Sequence, residues 1–247
     1  MIAALCAVAL LGAPQETVES SWAGFKPGTS ITVRSTKTWK DGGQETYEVT
    51  QRIVAVDANQ VQFEFRHSSG GVSRRGEDLR FEMEPLPQPP IEEKVLGTSE
   101  VKIGQRSYEC TQIELIRTEF PQCGNSPGKS VTVTVLCRSS EMTANGGVLR
   151  RTDRTITHLK GGGPRDERSS EQAVLRLDDP MKFGGRSYSC VVVETRTTGS
   201  PEVETVWKCP QIPLGWGRWY RTGLSEHENG RIVTEIDQRM TSVVIVR

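Results

Sequence analysis

KIGQRSYEC (102–110) and KFGGRSYSC (182–190) share six of nine positions at an offset of 80 residues. Each is a β-prone stretch with a glycine turn near its start and a Tyr-x-Cys end, so the chain carries one hairpin-forming segment twice. Downstream, CRSSEMTANGGVLRRT (137–152) lies over WKCPQIPLGWGRWYRT (207–222) at an offset of 70, aligning Gly147 with Gly217, Arg151 with Arg221 and Thr152 with Thr222. The difference between the offsets is a ten-residue insertion in the 120–129 loop. Each copy reads as strand, glycine turn, strand, hairpin loop, strand, then a turn into another strand.

Outside the copies the pattern is also β. SITVRSTKTW (30–39) and ETYEVTQRIVAV (45–56) are rich in Thr and Val around the turn residues KDGG, and RIVTEIDQRMTSVVIV (231–246) closes the chain in the same style. SVTVTVLC (130–137) alternates strictly, setting Val131, Val133, Val135 and Cys137 on one side and Thr132 and Thr134 on the other. The expected fold is all-β: antiparallel meander sheets, as a curved sheet or half-barrel, containing a duplicated hairpin unit. RDERSSEQAVLRL (165–177) is the one helical candidate, amounting to a short turn. PLPQPP (85–90), FPQCGNSPGK (120–129) and KGGGPRDERSS (160–170) read as connections. These breaks divide the chain into a leader and polar tail (1–20), N-terminal hairpins (21–89), a first repeat unit (90–160) and a second with the C-terminal strands (161–247).

Composition narrows the function classes. Lys plus Arg equals Asp plus Glu at 31 each, which leaves no net field for nucleic acid or an anionic membrane. MIAALCAVALLGA (1–13) is uncharged and apolar, too short to span a bilayer, which takes about 20 residues, and matches the core of an export leader. Cleavage is expected between Leu10 and Ser20, giving an extracytoplasmic protein without a transmembrane span.

In an oxidising compartment the cysteines can pair. The turn Gly199-Ser200-Pro201 is centred so that Cys190 and Cys209 fall opposite each other, with Val192 opposite Trp207, and a disulfide is expected there. The same register in the first copy sets Ser139 opposite Cys110 and leaves Cys137 diagonal to it. A Cys110–Cys137 bond therefore requires the inserted loop to shift the pairing by two residues, and Cys123 competes for either partner.

No residue pattern points to catalysis, a cofactor or a metal. His67, His158 and His227 are scattered, no Gly-x-Ser-x-Gly elbow exists, and Asp178-Asp179-Pro180 reads as a turn. Gly124-Asn-Ser-Pro-Gly-Lys-Ser130 imitates a phosphate-binding loop but has one residue too few between its glycines and runs into a strand. Trp216, Trp219 and Tyr220, flanked by Gly and Arg, form the one cluster suited to stacking on a ligand.

A Gly-turn-aromatic strand, a charged hairpin, then Trp and a Pro-Leu-Gly turn over residues 93–222 resemble uncharacterised secreted bacterial proteins related to the lipoprotein-carrier half-barrels, the LolA, LolB and RseB-like group. The resemblance implies a curved antiparallel sheet that holds acyl chains or a protein partner. The expected function is therefore a non-catalytic structural or protein-binding role in the cell envelope, with carriage of an apolar, lipid-like ligand as the alternative.

Overall fold

In the computed structural model the described residues are 22, 24–57, 60–78, 91–119, 129–142, 144–158 and 166–246. The proposed leader, the PLPQPP connection, Cys123 and the glycines of the phosphate-loop lookalike lie outside them.

The chain is all-β. Strands β1 (Ser30–Trp39), β2 (Gln44–Val56), β3 (Gln60–His67) and β4 (Val72–Asp78) form an N-terminal meander. A second meander follows through β5 (Ile91–Ile103), β6 (Arg106–Glu119), β7 (Lys129–Arg138), β8 (Val148–His158) and β9 (Asp166–Phe183). It continues through β10 (Arg186–Thr197), β11 (Val203–Lys208), β12 (Trp216–Glu228) and β13 (Arg231–Val244). All 13 strands belong to one sheet in the order β4-β3-β2-β1-β13-β12-β11-β10-β9-β8-β7-β6-β5. The last strand thus pairs with the first, Ser35 facing Gln238, and the two edges are β4 and β5, neighbours in sequence. Every adjacent pair is antiparallel, so alternating directions across the sheet leaves β4 and β5 pointing the same way. Closing the seam would need a parallel pair, and the sheet is not closed into a barrel.

A one-layer sheet must fold on itself to bury a core. Here two hairpin tips do so. The tip of β5–β6 (Ile103, Tyr108, Cys110) packs with Leu149 of β8, Val174 of β9 and Val191 and Val193 of β10. The tip of β9–β10 (Phe183, Cys190) and Trp207 pack with Ile31, Ile53, Phe63 and Met240 of β1, β2, β3 and β13. Because side chains alternate along a strand, β10 serves both cores: Cys190 and Val192 enter one, Val191 and Val193 the other. A third cluster, Trp39, Leu224 and Val233, closes the far end of the sheet.

The two tips are built to the same register. Ile103 pairs with Arg106 and Phe183 with Arg186; Ser99 pairs with Cys110 and Asp179 with Cys190. Thr111 faces Arg138, as Val191 faces Lys208. Past that point the offset changes. Ser139 donates its backbone N–H to Gly147 (2.9 Å) and Cys209 donates to Gly215 (2.7 Å), so Gly147 corresponds to Gly215 and not to Gly217. The loop is two residues shorter beside the second tip, and Arg151 and Thr152 correspond to Trp219 and Tyr220, not to Arg221 and Thr222.

Cys190 and Cys209 are bonded with Cα atoms 4.6 Å apart, and Val192 faces Trp207 as the turn arithmetic requires. The Cys110–Cys137 bond is not formed: both are buried free thiols, because Gln112, not Cys110, faces Cys137. Burial pushes the Cys110 thiol above its usual range, and the neighbouring Cys137 adds to this. One further expectation is corrected. The segment expected as a charged connection and short turn is, from Asp166 onward, the 18-residue strand β9, held between β8 and β10. On β7 the threonine side is no more exposed than the valine side. Thr134 is buried and donates to Asp153, which Arg151 also grips at 2.7 Å.

Candidate functional site

The sheet face that bears Val191 and Val193 continues across the central strands. Pairing carries it from Val191 to Lys208 to Trp216, and from Val193 to Val206 to Trp219. Directly opposed residues share a face, so Trp216 and Trp219 lie together on this floor. Tyr220 pairs with Thr205, which pairs with Glu194, and these belong to the opposite face. The structure therefore brings two of the three candidate aromatics together and sets the third behind them.

The cause is a bulge. The register slips between Trp207 and Lys208, leaving Gly217 as an extra residue on β12. Gly217 is pressed against Met181, Phe183 and the Cys209 sulfur; a Cβ there would meet the first two at 3.0 Å, so any larger residue must push these side chains aside. Arg218 follows on the same side, its guanidinium 4.7 Å from the Trp207 ring and 5.2 Å from Tyr220. Bending Gly217 and Arg218 toward the stapled core leaves Trp216 and Trp219 on the floor face, both half-buried.

Charges organise both faces. On the floor, the Arg221 guanidinium lies 5.4 Å from the Trp219 ring, and its Nε donates to Glu202 at 2.7 Å. Lys208 is held by an amide: its Nζ donates to Asn145 Oδ1 at 2.7 Å. Burial pushes the Lys208 ammonium below its usual range; Glu204 opposes this and Arg151 reinforces it. Asn145 sits at φ 56° in the Ala144–Gly147 turn, so a loop of the β7–β8 connection reaches across to β11. On the opposite face Arg218 grips Asp237 with two hydrogen bonds of 2.9 and 3.0 Å, and Arg239 adds a third at 2.8 Å. Tyr220 is pushed above its ordinary range by burial and then by Glu235.

The remaining sequence candidates are spread out. His67, His158 and His227 are exposed on three different strands. Asp179 accepts from Trp207 Nε1 at 2.8 Å and Asp178 from Ser189 at 2.9 Å, which makes both of them part of the hairpin. Among the described residues no group of three His, Cys, Asp or Glu is placed to hold a metal ion. Two open hollows lie among the described residues: about 360 Å³ beside Thr111, Arg138 and Met142, and about 270 Å³ beside Phe63 and Arg74. Sequence reading missed Lys208 and Asn145; a lysine at the end of a strand carries no signal of the loop that meets it.

Fold and site together define an open antiparallel β-meander with a stapled hairpin and an aromatic, cationic strip across its floor. No known protein family matches the chain, and neither a curated protein nor a solved structure matches it.

Proposed function

We propose that this is a non-catalytic extracytoplasmic protein that binds another protein of the envelope, with a hairpin unit that arose by duplication. The observation that carries the reading is the arrangement of Trp216, Trp219 and Arg221 on one face of a single sheet. Such groups stack and donate hydrogen bonds, the chemistry that concentrates at protein interfaces. The disulfide fits an oxidising compartment. The matching registers of the two tips support duplication.

Carriage of an apolar ligand, implied by the resemblance to lipoprotein-carrier half-barrels, asks for an apolar cavity of several hundred Å³. Here the regions under the two tips are filled by Phe63, Phe183 and Trp207 in one core and by Tyr108, Leu149 and Val193 in the other. Native mass spectrometry of protein purified from its own host tests the choice. A co-purifying polypeptide is expected; an adduct of lipid mass would overturn the reading in favour of carriage.

A further inference from the structure

On the second hairpin pair the floor is covered. Val174 (5% exposed), Val193 (2%) and Val191 lie beneath the β5–β6 tip, and Lys208 beside them is bonded to Asn145 of the incoming loop. The register locates the same place on the first pair. Val193 faces Val174 as Ile113 faces Val95, and Val191 faces Lys208 as Thr111 faces Arg138. Nothing among the described residues covers it. Val95 is 62% exposed, and Thr111, Ile113 and Arg138 open onto the hollow of about 360 Å³ that Met142 borders. An exposed valine beside a half-buried isoleucine, a hydroxyl and a cation thus stand at the edge of the sheet, in the geometry that on β9–β10 receives a hairpin tip.

We infer that the surface of Val95, Ile113, Thr111 and Arg138 is a docking socket for a β-hairpin tip of a partner protein. The chemistry of the tip is that of the one already seated on Val191 and Val193. It has an aliphatic residue before a glycine turn and a tyrosine after it, as in Ile103 and Tyr108, with a neighbouring amide carbonyl to accept from Arg138 as Asn145 accepts from Lys208. A second copy of this chain offers no such tip, since both of its own are engaged. Thr111 where the covered socket has Val191, and Arg138 where it has Lys208, make the open socket more polar, as suits a surface that is wet until it is occupied. The inference rests on the protein-binding reading and adds a second contact surface, at the edge of the sheet, to the tryptophan strip on β12.

The probe is a backbone-cyclised peptide of residues 99–110, shown by NMR to hold the hairpin, titrated into the full protein by fluorescence anisotropy. Saturable binding is expected, weakened about tenfold or more by Ile113→Glu in the protein or Tyr108→Ala in the peptide, the scale of a lost anchor. Val54→Glu, at an exposed valine on β2, serves as the control and should leave binding unchanged. Absence of binding by a verified hairpin, or binding indifferent to Ile113→Glu in a protein of unaltered circular dichroism, overturns the socket. A co-purifying polypeptide found alongside that result would leave the protein-binding reading standing and place its partner elsewhere.

Discussion

Continued one step beyond the Thr111–Arg138 pair, the register sets Ser139 opposite Cys110, just as one step beyond Val191–Lys208 Cys209 is bonded to Cys190. Ser139 and Cys110 are both buried. The first tip therefore has the geometry of the stapled one with a hydroxyl in place of one sulfur. Ser139→Cys should form a disulfide with Cys110 in oxidised protein and raise stability by on the order of 3 kcal/mol. Peptide mapping without reduction decides it: Cys110 recovered as a free thiol from that variant would refute the shared register.

The glycine turns of the two tips differ in surroundings. Gly184, at φ 57°, is set so that a Cβ would meet the Val243 carbonyl oxygen at 2.8 Å, whereas Gly104, at φ 61°, has open space around it. Gly104→Ala should cost about 1–2 kcal/mol, the penalty of a left-handed alanine. Gly184→Ala adds a backbone collision and should cost about 3 kcal/mol or more. Urea unfolding of the two variants measures the gap; equal costs would mean the second tip does not rest on β13.

Asp237 ties β12 to β13. Burial pushes its carboxyl up, but the hydrogen bonds from Arg218 and Arg239 outweigh this and hold it below the usual range. A carboxylate depressed in the folded state contributes stability that is complete above its unfolded pKa of about 3.9 and is lost as pH falls through the folded value. Asp237→Asn should cost about 2 kcal/mol at neutral pH, where it strands two guanidiniums. The gap from the parent protein should narrow as pH falls below the unfolded carboxylate value and the parent's own carboxyl takes up its proton. A gap independent of pH would show that the pair carries no net ionic stabilisation.

Local pairing was legible in the sequence where a short turn fixes it. Gly199-Ser200-Pro201 sets Val192 against Trp207 and closes Cys190 on Cys209, because hairpin register follows from the turn alone. Three features were not legible. The pairing of β13 with β1 joins the chain's ends and leaves no local trace. Strand β9 is written in polar residues because much of its length is half-exposed, so RDERSSEQAVLRL hid a strand that its neighbours hold in place. Simple alternation from Trp216 would put Tyr220 beside it and Trp219 behind; the bulge at Gly217 reverses this. Its signal was the glycine between two tryptophan-bearing stretches.

Amide hydrogen exchange along β5 and β9 tests most directly that the sheet is open and its first floor uncovered. The two strands are register equivalents, but β9 has a partner on each side over residues 170–173, whereas among the described residues β5 is paired with β6 alone. Alternate amides of residues 91–99 should exchange at rates near those of free peptide, while both sets in residues 170–173 are protected. Uniform protection along β5 in the isolated protein would mean that the seam is closed or covered, and would contradict both the open sheet and the socket.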